Sequence, residues 1–247
     1  MAEFGYLHRD TISFVICKQS AVSYPLHNHV SVFTLGFLLE GAVQLTTDRG
    51  SRLYQKDDAF LILPYTPHSI DARSRYTMIS LCLSADWAVR ADAGAVDSAA
   101  ASLLREAVSR PELEESILRA LRGFLPAARM APLGKETAVS RLKAQLELYP
   151  ERRCSLDDMS RIAFISKYEL IRAFKNEVGL TPHQFQIQNR IRKAQRLLEK
   201  NAAIAEAASA AGFCDQSHFD RHFKKRLGLT PADYRLACNP ALPLSVD

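Results

Sequence analysis

The sequence has few features of a secreted or membrane-bound protein. Its five cysteines, at positions 17, 82, 154, 214 and 238, are odd in number and scattered, and none form a C-x-x-C pair. This pattern argues against a disulfide framework and against a cysteine zinc site. No apolar run approaches the roughly 20 residues that a membrane helix requires, and residues 1–10 lack the apolar core of a signal peptide. We therefore expect a cytoplasmic protein with free thiols and no membrane partner.

Motifs of common enzyme classes are also missing. We find no convincing Ser-His-Asp triad, phosphate-binding loop or nucleotide motif in the 247 residues. Hydrophobic residues make up 47% of the chain and charged residues 24%, which is ordinary for globular domains. The length allows one large domain or two modest ones. We expect a folded protein that is not an enzyme.

The net charge of +5 is unevenly distributed along the chain. Residues 1–134 contain 13 Lys and Arg against 14 Asp and Glu, a net charge of −1. Residues 135–247 contain 19 against 13, a net charge of +6. A basic domain beside a neutral one is expected when the basic domain meets a polyanion.

In the first half, the sequence pattern between residues 11 and 83 is typical of β-strands. Runs rich in β-branched and aromatic residues alternate with turn residues such as Glu40-Gly41 and Asp48-Arg49-Gly50. The runs are 11–16, 30–39, 42–47, 59–63 and 76–83. Short strands at this spacing predict a small barrel or sandwich.

Helical spacing of apolar residues begins after residue 97. Residues 97–108 and 111–124 predict two helices that either pad the β domain or pair between subunits. Residues 125–134 contain two prolines and a glycine without a clear period, which predicts an interdomain linker. The predicted domains are therefore 1–124 and 135–238, followed by a tail at 239–247.

The second half predicts two helix-turn-helix units. Their helices are expected at 156–163 and 167–178, and at 204–210 and 216–227. Ser155 and Ser166 have the chemistry of helix N-caps, and Gly179 and Gly228 that of helix C-caps. Within the last of these helices, Phe219 anchors one face in the core together with Phe223, so that polar and basic residues occupy the other faces.

The two units repeat one another. Phe174-Lys175-x-x-x-Gly179-Leu180-Thr181-Pro182 matches Phe223-Lys224-x-x-x-Gly228-Leu229-Thr230-Pro231, and the phenylalanines are 49 residues apart. An internal repeat with matching stop signals is hard to obtain by chance. A long helix at 182–200 would hold the units at the spacing of successive major grooves, about 34 Å.

From Gly212 to Arg235 the sequence resembles the signature of AraC-type (AraC/XylS) transcription regulators almost without interruption. The resemblance implies an α+β two-domain protein, with an N-terminal cupin-like β-barrel and following helices that bind an effector and dimerise. The C-terminal all-α domain would carry the two helix-turn-helix units and bind double-stranded DNA. The resemblance further implies a homodimer that activates transcription with RNA polymerase.

The resemblance also assigns site residues in the DNA-binding domain. Seven would contact bases: Tyr168, Ile171, Arg172, Gln216, Ser217, Asp220 and Arg221. Four lysines would contact phosphates: Lys167, Lys175, Lys224 and Lys225. Ile171 departs from the polar residue often seen at its position, which weakens the case for hydrogen-bonded base readout there.

Three histidines are the candidate effector site of the first half. His27 and His29, in Pro25-Leu26-His27-Asn28-His29, would share one strand face, and His68 would join them from a neighbouring strand end. Such a cluster could bind a divalent transition metal as effector, or it could contact an organic effector or line a degenerate pocket. Enzymatic cupins place a carboxylate shortly after the H-x-H pair, whereas here Glu40 follows eleven residues after His29 and resembles a turn residue.

Two further interpretations of the first half stay open. One is a metal-dependent cupin enzyme fused to a DNA-binding module, which would draw on His27, His29 and His68. The other is a DNA-binding protein whose barrel serves only for dimerisation. Turnover by the isolated barrel would favour the former, and indifference to metals and metabolites the latter.

Overall fold

The computed structural model describes residues 3–9, 11–30, 32–129 and 137–238. These residues form two compact units, one within 3–129 and the other within 137–238. The first combines β-strands with helices and the second contains helices, as the sequence predicts.

Nine strands of the first unit form two antiparallel sheets. The strands are β1 (Glu3–Arg9), β2 (Ile12–Ser20), β3 (Tyr24–His27), β4 (Val32–Glu40), β5 (Ala42–Thr47), β6 (Gly50–Gln55), β7 (Ala59–Ile62), β8 (His68–Ala72) and β9 (Tyr76–Ser84). One sheet has the order β1-β2-β9-β4-β7 and the other β3-β8-β5-β6. The five predicted runs correspond to β2, β4, β5, β7 and β9, and the other four strands were not predicted.

The predicted barrel needs a correction, because the two sheets are not closed into a barrel within the described residues. Strand β3 forms one edge, and it shows only two ladder pairs, Tyr24 with Ile70 and His27 with His68. Pro25 lies between them and has no N–H to donate. Such a short, interrupted strand cannot extend the ladder to a further strand.

Strand β4 is covered on both faces, which explains its long apolar run. Its odd-numbered residues, including Phe33 and Leu35, pack in a cluster with the helices of the unit. Leu38 points the other way, into a cluster between the sheets that contains Phe60 and Ile70. Gly36 faces Phe60 on the neighbouring strand, and a Cβ at Gly36 would lie 2.3 Å from that ring.

Three helices cover the outer face of the five-stranded sheet: α1 (Ala85–Arg90), α2 (Ala93–Ala107) and α3 (Pro111–Arg129). Helix α3 continues five residues past its predicted end at residue 124, because Leu125 is buried in the core and extends the apolar face. Residues 125–129 of the predicted linker are therefore helical. Residues 130–134 of that linker and the predicted tail at 239–247 lie outside the described residues. No described helix combines the length and apolarity needed to cross a membrane.

Seven helices form the second unit: α4 (Ala138–Leu148), α5 (Leu156–Ala163), α6 (Lys167–Val178), α7 (Pro182–Glu199), α8 (Ile204–Ala210), α9 (Gln216–Leu227) and α10 (Pro231–Ala237). Long helix α7 contacts α4, α5, α6, α8, α9 and α10. It buries Phe185, Ile187 and Ile191. It also buries the amides Gln186, Gln188 and Asn189, which apolar periodicity alone did not predict.

Candidate functional site

The first unit brings the three predicted histidines together. His27 ends β3 and lies directly opposite His68, the first residue of β8. His29 follows β3 in a loop rather than on the strand, so the prediction that it shares a strand face with His27 is wrong. The ring centroids are 4.2 Å apart for His27 and His68, 4.8 Å for His29 and His68, and 5.3 Å for His27 and His29.

The Nδ1 atom of each ring has an oxygen partner. Nδ1 of His27 donates to the carbonyl of Pro25 at 2.7 Å, and Nδ1 of His68 donates to the carbonyl of Thr66 at 2.9 Å. Because a carbonyl only accepts, these bonds place the proton of a neutral imidazole on Nδ1 and the lone pair on Nε2. Nδ1 of His29 lies 2.5 Å from the Oγ1 of Thr34.

His68 is fully buried, with 0% of its surface exposed. Its Nε2 atom is buried and has no hydrogen-bond partner. Burial lowers the pKa of the His68 imidazole below its ordinary value, although the bond to the Thr66 carbonyl opposes this shift. Burial therefore favours the neutral ring, whose Nε2 is unsatisfied and which lies beside the other two histidine rings.

His29 connects the histidine cluster to β4 and to the loop between β7 and β8. Its ring contacts Thr34, a buried residue of β4 in the five-stranded sheet. Its carbonyl accepts a hydrogen bond of 2.7 Å from the backbone N–H of Tyr65, in the loop before β8. His29, in the loop between β3 and β4, is thereby held by its backbone to the loop between β7 and β8 and by its ring to β4.

Glu40 is separate from the histidine cluster, as the sequence indicated. Its carboxylate accepts hydrogen bonds from Gln19 Nε2 at 2.5 Å and from Thr77 Oγ1 at 3.2 Å. Among the described residues, His27, His29 and His68 form the one group of three or more His, Cys, Asp or Glu with the spacing of metal ligands. Their ligand atoms lie within 4.8 Å of one another.

In the second unit, helices α5 and α6 form the first predicted helix-turn-helix. Ser155 and Ser166 cap them, each in a capping box, with Asp158 and Glu169 respectively. The turn between them passes through Phe164 in a left-handed conformation, φ +55°. Leu170 and Phe174 are fully buried, which fixes the outward face of α6.

Helices α8 and α9 form the second predicted helix-turn-helix. Asp215 caps α9 by accepting from the N–H of His218 at 2.7 Å. Phe219 and Phe223 are fully buried and anchor one face of the helix, as the i, i+4 spacing predicts. On its surface His218, Arg221, His222 and Lys225 line a hollow of about 340 Å³.

The repeated stop signals have nearly identical geometry. Gly179 ends α6 at φ +73° and ψ −4°, and Gly228 ends α9 at φ +74° and ψ −6°. Thr181 and Thr230 then cap the following helices in capping boxes, each with proline in the first turn. The sequence repeat therefore corresponds to a structural repeat.

Ten of the eleven residues predicted to contact DNA are exposed: Lys167, Tyr168, Ile171, Arg172, Lys175, Gln216, Ser217, Arg221, Lys224 and Lys225. Tyr168 exposes 77% of its surface and Ile171 exposes 37%, although both are largely apolar. Asp220 is the exception, because it is half-buried and its Oδ1 is buried without a partner. Lys167 is also distinct, since its Nζ forms an ion pair with Asp157 at 2.6 Å.

The loop between α4 and α5 is a scaffold that sequence reasoning missed. Arg190 of α7 donates to the carbonyl of Pro150 at 2.8 Å, and Gln186 of α7 donates to the carbonyl of Arg152 at 2.8 Å. The turn between α8 and α9 packs on the same loop, because a Cβ at Gly212 would lie 2.5 Å from the carbonyl oxygen of Glu151. This loop thus connects parts of both helix-turn-helix units.

Comparison with known families identifies both halves of the chain. The sequence profile of the AraC-like ligand binding domain matches residues 18–149, and that of a helix-turn-helix domain matches residues 159–237. The first match covers more than half of the 247 residues. The chain belongs to the AraC family. The predicted cupin-like sensor and helix-turn-helix halves of an AraC-type regulator are thereby confirmed.

Curated relatives of this AraC-family chain include two transcriptional regulators. It is 28% identical over 141 residues to the probable transcriptional regulator LumQ of Photobacterium leiognathi, which covers 55% of this chain and 56% of the relative. It is 37% identical over 87 residues to the HTH-type transcriptional regulator MtrA of Neisseria gonorrhoeae, which covers 35% and 29%. The chain thus spans about half or less of the length of these relatives.

Among solved structures, ToxT of Vibrio cholerae O395 has a similar fold. The TM-score is 0.65 at 12% sequence identity, and the match covers 94% of this chain and all of the ToxT chain. At this identity the likeness shows that the AraC-family chain and ToxT share an overall fold.

Sequence reasoning missed the residues that orient the histidines. Thr34 was available as a signal, because it is the polar residue within the apolar run from Val32 to Leu39. The carbonyls of Pro25 and Thr66 carry no signal in the sequence, because any residue supplies a carbonyl. Cys214, two residues before α9, is exposed, and its Sγ lies 3.3 Å from Nδ1 of His218.

Proposed function

We propose that this protein is a ligand-responsive, sequence-specific DNA-binding regulator of transcription. Its second unit would read DNA, and its first unit would bind a small effector at His27, His29 and His68. The observation that carries the proposal is the structural repeat of two helix-turn-helix units, each with a second helix that is anchored by buried residues and exposed on its predicted reading face. Membership of the AraC family supports the same function.

Helix α9 has the surface of a major-groove reader. It carries four basic residues against one acidic residue, and Gln216, Ser217 and Arg221 are exposed. Arginine pairs with the O6 and N7 atoms of guanine, and glutamine pairs with adenine. We assign base contacts to Gln216, Ser217, Asp220 and Arg221, and phosphate contacts to Lys224 and Lys225.

Helix α6 has a different reading surface. It carries three basic residues against two acidic residues, and it exposes Tyr168 and Ile171 together with Arg172. Apolar side chains in the major groove recognise the methyl group of thymine. We assign base contacts to these three residues and phosphate contacts to Lys167 and Lys175.

The effector would act by binding one arrangement of the protein better than another. An effector site in the first unit is supported by the match to an AraC-like ligand binding domain. ToxT, which shares the fold, has been crystallised with an unsaturated fatty acid bound. We further propose that the protein works in the cytoplasm as a homodimer and activates transcription together with RNA polymerase.

The test of DNA reading begins with selection of a binding site from random duplexes by the full-length protein. Binding to the selected duplex is then measured by fluorescence anisotropy at physiological salt for Arg221→Ala and Arg172→Ala. Each change should weaken binding by about 1–3 kcal/mol and relax base preference at one position of the site, because each removes a bidentate donor to a base.

Arg196→Ala is the matched control, since Arg196 is an exposed arginine on α7 rather than on a reading helix. It should retain the affinity and base preference of the unmodified protein. Equal losses in all three variants would mean that positive charge, not base reading, carries binding. Failure to select any preferred duplex would overturn sequence-specific function altogether.

A further inference from the structure

We propose that His27, His29 and His68 form a binding site for a divalent transition-metal ion, and that this ion is the effector. The metal site stands on the geometry of the three rings alone. The effector role, by contrast, rests on the function proposed above.

The decisive observation is the unsatisfied nitrogen of His68. A buried polar atom without a partner costs free energy, and native structures seldom retain one without a reason. The Nε2 of His68 is such an atom, in a fully buried ring that contacts the other two histidine rings. A metal ion between the three rings would satisfy it.

The three rings have the supporting contacts of metal ligands. Histidine ligands commonly donate their second nitrogen to a carbonyl or another oxygen, which fixes the tautomer and the ring orientation. His27 and His68 donate Nδ1 to the carbonyls of Pro25 and Thr66, and Nδ1 of His29 meets Thr34 Oγ1. In each ring, Nε2 is then the nitrogen that would coordinate the ion.

The ligand set selects the class of metal. Three imidazole nitrogens suit Zn²⁺, Ni²⁺, Co²⁺ and Cu²⁺, whereas Mg²⁺ and Ca²⁺ require oxygen ligands. No carboxylate or thiolate belongs to this group among the described residues. Three protein ligands leave a fourth tetrahedral position for water or for a small anion.

Binding would move the loop that carries His29. The ligand atoms now lie within 4.8 Å of one another, whereas a tetrahedral ion with bonds of about 2.0–2.1 Å needs nitrogens about 3.3 Å apart. The ion would draw His29 toward the two opposed residues His27 and His68. Because Thr34 on β4 contacts His29, the pull would reach the five-stranded sheet. The ion would thus bind the conformation with His29 drawn in more tightly than the conformation without it, and an effector requires such a difference in affinity.

The experiment uses calorimetric titration of the full-length, chelator-treated protein with Zn²⁺, Ni²⁺ and Co²⁺, and with Mg²⁺ as a negative control. Saturation at one equivalent per chain is expected for the transition metals, and Co²⁺ should give the visible absorption bands of a nitrogen-ligated ion. His27→Ala and His29→Ala should each abolish both signals. Fully buried His68 is left unchanged so that the variants stay folded.

Two further variants sharpen the test. Thr34→Val keeps the shape of the side chain but removes its oxygen, and it should weaken the metal affinity about 10–100-fold. His8→Ala is the matched control, because His8 is an exposed histidine of β1 outside the cluster and should leave both signals unchanged. Saturable binding that survives in the His27 and His29 variants, or no saturable binding at all, would overturn the metal site.

Affinity for the selected DNA duplex is measured on the same samples with and without one equivalent of metal. A change of at least five-fold is expected, and it should be absent in His29→Ala. Metal binding with unaltered DNA affinity would overturn the effector role. If no metal site is found, the Arg221→Ala test of DNA reading still stands. The proposed metal site and the proposed DNA-binding function can therefore be refuted independently.

Discussion

The two helix-turn-helix units share their stop signals but are stabilised in different ways. In the first helix-turn-helix, helices α5 and α6 both start with a serine capping box, at Ser155 and Ser166. In the second helix-turn-helix, the N-cap of α8 is Ala203, which has no side-chain oxygen to form a cap, and the helix packs through small buried residues such as Ala207 and Ala208. The turn after α8 relies on close backbone packing at Gly212.

This difference shows that one motif can be specified by local hydrogen bonds or by tertiary packing. A capped unit tolerates changes at its contacts, since each helix start is satisfied by its own residues. A unit built on alanine and glycine depends on close approach to its neighbours and has little room for added atoms. The reading surfaces differ as well, because α9 is more basic and α6 more apolar.

Of these changes, Gly212→Ala should destabilise the second helix-turn-helix the most. Gly212 has φ +87°, and the new Cβ would lie 2.5 Å from the carbonyl oxygen of Glu151, so both the backbone and the packing oppose it. We expect a loss of about 3 kcal/mol in the free energy of unfolding, measured by urea denaturation followed by helical circular dichroism. Gly228→Ala, at a C-cap, should cost about 1 kcal/mol. Equal losses would show that packing at residue 212 is unimportant.

Adding a cap to α8 and removing one from α6 should make the two helix-turn-helix units more alike in how their helices are stabilised. Ala203→Ser would create a capping box on α8 with Glu206 three residues on, and it should raise the free energy of unfolding by about 0.5–1 kcal/mol. Ser166→Ala removes a box from α6 and should lower it by about 1 kcal/mol. The same urea experiment measures both. A neutral effect of Ala203→Ser would mean that α8 is already fully satisfied by packing.

The lysines of the two reading helices should differ in the salt dependence of DNA binding. Loss of one phosphate contact changes the slope of log K against log salt by about 0.9. Lys224→Ala should show this change, whereas Lys167→Ala should show less, because the Asp157 ion pair already compensates the Lys167 charge. Binding to the selected duplex is measured at several salt concentrations. A larger change for Lys167 than for Lys224 would contradict the assignment.

The smallest expected effect on DNA binding concerns the methyl groups of thymine. Replacing single thymines of the selected duplex by deoxyuridine removes one methyl each, worth about 0.8 kcal/mol when buried. We expect about four-fold weaker binding at one or two positions, and this sensitivity should vanish in Ile171→Ala but persist in Arg221→Ala. If no position responds to Ile171→Ala, apolar reading by α6 is refuted by the same anisotropy measurements.

Much of this fold is encoded in patterns that physical rules can read. The buried pairs Leu170 and Phe174, and Phe219 and Phe223, follow helical spacing, and the glycine stops require left-handed backbone at known positions. Strand β6 escaped prediction because most of its residues are exposed and its two apolar residues, Leu53 and Tyr54, are adjacent, so that no alternation marks it. Strand β3 escaped because it is short and contains Pro25. Whether two such sheets close into a barrel depends on pairing between their edge strands, which no local pattern specifies.

The histidine cluster was predictable in its members but not in its geometry. Residues His27, His29 and His68 stood out by type, yet the pairing of His27 with His68 is a register between distant strands. The position of His29 off the strand depends on a backbone bond to Tyr65, which sequence does not reveal. The orienting carbonyls are likewise set by folding rather than by residue type.

The contact between Gly212 and the loop at Glu151 has a consequence for how such a protein can diversify. It lies among backbone atoms, whereas the predicted base-reading residues lie almost entirely on exposed faces of α6 and α9. Exchanging those surface residues alters what is read without altering how the helices are mounted. Target preference can therefore change through surface substitutions alone, whereas position 212 is confined to glycine, because any residue at position 151 presents the same backbone carbonyl.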